Sequence, residues 1–179
     1  AQHLDHEHAV THFEECFALL QALGDKQGIA DVLSDLGDVA RGQGEYGRAV
    51  TLFEQSLALQ RELGDTRGIA FSLDGLGDVA RHQGDHGRAA TLYRESLALF
   101  QTAGDRLGMT RCLAGLAGVI CMQGQPQRAV QLFGAAETLS EATGVFLPPS
   151  VRANYEPQVA AGRTALGNER FEAAWAVGQ

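Results

Sequence analysis

Between residues 25 and 144 apolar side chains return every three or four positions, and glycines interrupt them at fixed places. In 25–64, Ile29, Leu33, Leu36 and Val39–Ala40 form one stripe, and Ala49, Leu52, Phe53, Leu57 and Leu59 form a second. Each set falls on one face of an α-helix. Gly24, Gly64 and Gly104 stand where a helix ends in a left-handed residue, and Asp25, Asp65 and Asp105 follow them as N-caps. Gly44–Glu45, Gly84–Asp85 and Gly124–Gln125 mark tight turns, and Pro126 suits a first helical turn, where a missing amide proton costs little. The pattern predicts helices over 6–22, 26–43, 46–62, 66–83, 86–102, 106–123, 126–142, 150–165 and 168–177, and no strand.

The two stripes belong to a block of forty residues that occurs as 25–64, 65–104 and 105–144; the first two copies are identical at 23 of 40 positions. A fixed period of this length signals a solenoid, in which each unit buries its apolar face only by stacking on its neighbours. Such a chain offers a continuous surface for binding. His12–Leu19 aligns with Leu52–Leu59, so residues 1–24 read as the second helix of a truncated repeat. The start at Ala1 fits an excised fragment, and an exposed apolar edge is expected there, available for self-association. Residues 145–179 read as capping helices of the same single domain, 1–179, with Phe171 and the sole tryptophan, Trp175, shielding the stack and Arg170 and Glu172 facing water. Gly37 and Gly77 (Ala117 in the third copy), Ala49, Ala89 and Ala129, and Ser56 and Ser96 (Ala136 in the third) are expected to be close-packing spacers and nothing more.

Composition narrows the function classes. No apolar run is long enough to cross a bilayer and no signal-peptide pattern opens the chain, so a cytoplasmic protein without membrane contact is expected. Cys16, Cys112 and Cys121 lack ligand-like spacing and read as reduced core thiols. The net charge of −8 is concentrated at the N-terminal end: −4 in 1–24, −3 in 25–64, −1 in 65–104 and zero beyond. This disfavours direct nucleic-acid binding and suits a basic partner segment. His3, His6, His8 and His12 crowd the first helix, but no carboxylate or cysteine completes a metal set. No Ser–His–acid ordering, paired buried carboxylates or P-loop occurs, so no enzyme activity, cofactor or metal is expected.

Leu33-x-x-Leu36-Gly37-x-x-Ala40, followed by Gly44-Glu45-Tyr46, Ala49, Phe53 and Ser56, resembles the tetratricopeptide repeat. The later copies match through Leu73, Leu76, Gly77, Ala80, Gly84, Ala89, Tyr93 and Ser96, and through Leu113, Leu116, Ala117, Gly124, Ala129, Phe133 and Ala136. The consensus tryptophan and tyrosine are Leu and Ala here, and forty residues rather than about 34 imply longer helices. The resemblance implies an all-α, right-handed superhelix of antiparallel helix pairs. The tail, with Leu132–Glu137, Leu147–Pro149, Arg152–Glu156, Ala165–Gly167 and Phe171–Trp175, resembles the end of the tetratricopeptide region in bacterial STAND ATPase regulators, many of them LuxR-type. That implies a non-catalytic sensor domain of a signal-transduction ATPase or transcription regulator, binding a protein, a peptide or other domains of its parent chain. A stand-alone adaptor with a peptide in its groove is the alternative.

In this family the first helix of each pair lines the concave face. The family offsets place Asp31, Ser34, Asp38 and Arg41 there from repeat one, Phe71, Asp74, Asp78 and Arg81 from repeat two, and Arg111, Ala114, Gly118 and Cys121 from repeat three. The expected function is a mixed-charge groove, with Arg41 and Arg81 as largely solvated anchors for a partner. The neutral third repeat is expected to lie under the C-terminal helices.

Overall fold

The computed structural model describes residues 15–144 and 149–179. A helical run over 15–23 (α1) is followed by α2 (Lys26–Gly42), α3 (Tyr46–Leu63), α4 (Thr66–His82), α5 (His86–Ala103), α6 (Arg106–Met122), α7 (Pro126–Thr143), α8 (Pro149–Leu166) and α9 (Asn168–Gly178). No strand occurs among the described residues. The expected starts and ends from α2 onward hold to within one residue, while the first helix's expected beginning and the four N-terminal histidines lie outside the described residues.

Capping sets these boundaries. The carboxylates of Asp25, Asp65 and Asp105 accept from the backbone N–H of Gly28, Gly68 and Gly108 at 3.1, 3.1 and 2.9 Å. Each satisfies a donor that a helix start would otherwise leave without a partner. At the other ends, Gly64, Gly104 and Gly144 have φ of 71, 69 and 63°, where a Cβ is penalised. The caps also join successive repeats. Gln27 Nε2 donates to Asp65 at 3.0 Å, and Arg67 Nε donates to Asp105 at 2.6 Å.

The pairs α2–α3, α4–α5 and α6–α7 stack into an all-α solenoid, with α2, α4, α6 and α8 following one another in a first row, α3, α5 and α7 in the other, and α9 packed directly on α7. Glycine faces admit an aromatic ring between repeats. A Cβ placed on Gly37 would stand 2.9 Å from the Phe53 ring, and one on Gly75, in the next repeat, only 2.4 Å from it. Tyr93 sits likewise between Gly77, at 3.0 Å, and Gly115, at 2.5 Å. Gly68 and Gly108 give the same room to Gln60 and Phe100, at 2.3 and 2.4 Å. The serines are more than spacers. Ser56 and Ser96 donate to the Ala30 and Ala70 carbonyls at 2.8 and 2.7 Å, tying the second helix of each pair to the first.

At the C-terminal end α8 lies over α6 and α9 packs on α7. The contact with α9 is close because Gly134 faces the Trp175 carbonyl oxygen, 2.6 Å from where a Cβ would stand. Phe171 is buried, Trp175 is half-buried and stacks on it with 5.3 Å between centroids, and Arg170 and Glu172 are exposed. At the opposite end Leu19 and Leu23 are 66% and 79% exposed, the apolar edge expected there. Of the three cysteines expected in the core only Cys112 is fully buried; Cys121 is half-buried and Cys16 is exposed.

Gly75→Ala should lower stability by roughly 1–3 kcal/mol in urea denaturation, overriding the gain of about 1 kcal/mol that alanine brings to a helix. Gly47→Ala, with nothing near its Cβ position, should be neutral or stabilising. Equal effects would contradict the ring-and-glycine packing. Trp175 emission should lie to the blue of the unfolded protein's, and coincident maxima would place that ring in water.

Candidate functional site

The seventh, tenth, fourteenth and seventeenth residues of each repeat fall on one side of the first-row helix. Stacking the repeats brings the seventeenth residue of one to the fourteenth of the next. Arg41 therefore pairs with Asp38 on its own helix at 2.9 Å and with Asp78 on α4 at 3.5 Å. Asp78 also binds Arg81 at 3.3 Å and accepts a 2.6 Å hydrogen bond from the Tyr93 hydroxyl, to which Arg81 Nε donates at 3.3 Å. Arg111, from repeat three, reaches back to Asp74 at 2.7 Å, and the Cys112 thiol donates to the same carboxylate at 3.4 Å.

This network lines a cavity of about 50 Å³ with Arg41, Asp74, Asp78, Arg81 and Arg111 on its walls and Tyr155 and Gln158 of α8 at its far end. A neighbouring cleft of about 260 Å³ is lined by Asp31, Ser34, Asp35, Asp38, Phe71 and again Arg111. Eleven of the twelve concave-face residues expected from the sequence thus line one of two adjoining hollows on the first-row face; Arg111 belongs to both, and Cys121 to neither. Phe71 is flanked by the guanidinium groups of Arg67 and Arg111, 5.3 and 5.5 Å from its centroid, and meets Phe100 edge-on at 5.0 Å. Ser34 lies 3.2 Å from Ser56 and 3.4 Å from Ser72, between the groove and the core.

One expectation needs correction. Arg41 and Arg81 are not largely solvated; their side chains are only 19% and 14% exposed. The forty-residue spacing holds Arg41 against a carboxylate of the next repeat, and the Tyr93 ring walls in Arg81. Arg81 has no further carboxylate to reach, because repeat three offers Gly118 at the fourteenth place. There α8 covers the neutral surface: Tyr155 and Val159 pack on the cluster of Ala114, Ala117 and Ile120, and Cys121 Sγ lies 3.9 Å from the Gln158 carbonyl. Met122, just beyond, stays 64% exposed.

Burial and charge pull the two central carboxyls apart. Enclosure pushes Asp74 up to about 6 even though Arg111 pulls it down, and the charge of Asp78 adds to the rise. Burial would also raise Asp78, but Arg41, Arg81 and the Tyr93 hydroxyl outweigh it and hold that carboxyl below the usual range. At Arg111 the attraction of Asp74 exceeds the effect of burial and strengthens its hold on the proton. Burial raises the Cys112 thiol far out of the reactive range, and the Asp74 charge raises it further. Partial burial and then the charges of Asp38 and Asp31 raise Asp35, which is exposed in the open cleft.

Sequence reasoning missed Tyr93, Asp35, Tyr155 and Gln158. Tyr93 had a visible signal, a tyrosine where the other copies carry Phe53 and Phe133. Asp35 follows Ser34 and lies one helical turn from both Asp31 and Asp38. The two α8 residues carry no repeat register and gave none. Among the described residues no group of three or more His, Cys, Asp or Glu could hold a metal, and no helix is long and apolar enough to cross a membrane.

The Asp74 shift has a defined sign. Its folded value of about 6 exceeds the ordinary 3.8, so its contribution to stability is fully present below pH 3.8 and is lost as pH rises through 6. Lowering pH from 7 to 5 should therefore favour the folded wild type over Asp74→Asn, by about 1 kcal/mol. His82, held below its ordinary value by burial and by Arg81, works in the opposite direction, so the difference between the two melting curves is the readout. Parallel curves would contradict the assignment.

The sequence matches the tetratricopeptide repeat profile over residues 4–62, 49–102 and 68–142. No curated protein matches. Among solved structures, one described as a kinesin light chain with nearly identical TPR-like repeats, from Podosopora anserina, is 20% identical with a TM-score of 0.63. The match covers 99% of this chain and 90% of that one, and shows a shared fold. Tetratricopeptide repeats typically bind proteins or peptides without catalysis. Repeat register, helix pairing and profile agree, and the chain belongs to the tetratricopeptide repeat family.

Proposed function

We propose that this chain is a non-catalytic interaction domain that receives a basic segment of a protein partner on its first-row face. The observation that carries the reading is the convergence of Asp31, Ser34, Asp38, Arg41, Phe71, Asp74, Asp78, Arg81 and Arg111 on two adjoining hollows. The arginines of the deeper hollow are already paired, so they serve as a fixed floor. Asp31 and Asp35 are exposed in the open cleft and supply the acceptors for a partner's lysine or arginine, beside the Phe71 ring.

The STAND-like tail supports a finer reading: a sensor arm of a cytoplasmic bacterial signalling ATPase or transcription regulator, with the partner segment supplied by another domain of the same parent. A stand-alone adaptor is the second reading, supported by the likeness to the kinesin light chain repeats. Finding a P-loop ATPase encoded in the same reading frame would favour the first.

The groove itself is tested on an array of immobilised peptides of varied charge. Basic peptides should be retained, retention should fall with salt, and Asp31→Asn with Asp35→Asn should weaken it about tenfold. Arg61→Ala, exposed on α3 in the other row, should leave binding unchanged. Retention indifferent to peptide charge, or equal behaviour of the two variants, would overturn the proposal. Arg41→Ala with Arg81→Ala is a stability probe. It strips Asp78 of both cations and should cost about 3–5 kcal/mol.

A further inference from the structure

Beyond the groove, α7, α8 and α9 enclose a second cleft of about 330 Å³. Phe133, Tyr155 and Trp175 give it an aromatic lining. Each of the two half-buried rings is backed by a phenylalanine. Tyr155 stacks on Phe133 with centroids 5.6 Å apart, and Trp175 stacks on Phe171 at 5.3 Å. The cleft is therefore lined by two aromatic rings, each held in place by a second ring. Two carboxylates, Glu137 on α7 and Glu156 on α8, also line it. Both are exposed, and among the described residues neither has an ion-pair partner.

Among the described residues the one cation in the lining, Arg163, is already engaged. Arg163 lies over the Phe171 ring, 3.9 Å from its centroid, and pairs with Glu172 at 2.8 Å. The lining thus keeps a negative balance beside electron-rich ring faces. That combination disfavours anions, and a neutral guest gains no charge attraction from the two carboxylates. Aromatic faces attract cations whose charge is spread over apolar substituents and which lose little hydration on entering. We propose that this cleft is a binding site for an alkylammonium group, its charge held between Tyr155 and Trp175 and countered by Glu137 and Glu156. The volume accommodates a trimethylammonium head with several methylenes of its stem. The guest is a lysine-type side chain, methylated or not, or a free trimethylammonium compound. Tyr155 also closes the far end of the ionic groove, so the two sites adjoin, but neither needs the other to be occupied.

Trp175 is the sole tryptophan and reports on the cleft directly. Its emission is titrated with choline, with 3,3-dimethylbutan-1-ol (the neutral carbon isostere of choline), and with Nα-acetyl-lysine amide and its trimethylated form. A saturable change is expected with at least one of the cations, and binding of the neutral isostere should be at least about tenfold weaker than choline or trimethyllysine. Glu137→Gln with Glu156→Gln should weaken the cation by about tenfold with unchanged circular dichroism, since both side chains are exposed. A preference for the amino-acid amides assigns the guest to a protein side chain, and a preference for choline assigns it to a small molecule. No saturable response up to about 100 mM, equal affinity for the neutral isostere, or unchanged affinity in the double variant would each overturn the proposal.

Discussion

Everything in this solenoid depends on one packing constraint, an aromatic ring inserted between two helix faces that carry no Cβ. Phe53 occupies the gap between Gly37 and Gly75, and Tyr93 the gap between Gly77 and Gly115. A methyl group at either face would enter the ring, so the approach of α2 to α4, and of α4 to α6, is set by glycine on both sides. Mid-helix glycine costs up to about 1 kcal/mol against alanine. The offset comes from a buried ring in close contact on both faces, a gain that grows with every atom packed.

The same constraint builds the groove. With the first-row helices at that separation, Arg41 spans from Asp38 to Asp78, and Arg111 reaches back to Asp74. Tyr93 joins the two levels in a single side chain, its ring in the core and its hydroxyl on Asp78. A carboxylate this enclosed would be costly alone; two guanidinium groups and a phenol make it tenable. Asp74, with its main cation and a thiol, is less well served, which is why the two carboxyls titrate in opposite directions. Repeat three has neither acid at the corresponding places, and α8 covers it instead.

Much of this was legible in the chain. Helix ends could be read because Gly-Asp starts and glycine turns repeat at fixed offsets, and the groove residues because a helical face projects the same four positions in every copy. Gly28, Gly68 and Gly108 recur just as regularly, and their tight contacts with Leu20, Gln60 and Phe100 were open to the same reasoning. The solvation of Arg41 was not readable, because intrahelical spacing shows Asp38 but not the carboxylate that the next repeat brings across. Nor was the aromatic cleft, whose walls come from α7 and from two helices outside the period.

The central claim is that the ring that spaces the repeats also fixes the ionic floor of the groove, and a double-mutant cycle of Tyr93→Phe and Asp78→Ala tests it most directly. Both singles and the double are unfolded in urea, and the phenylalanine keeps the ring between its glycines while removing only the hydroxyl. A favourable coupling of about 1–2 kcal/mol between the two sites is expected from a buried hydrogen bond to a charged acceptor. Strictly additive losses would contradict it and leave core and groove as separate constructions that merely share a helix.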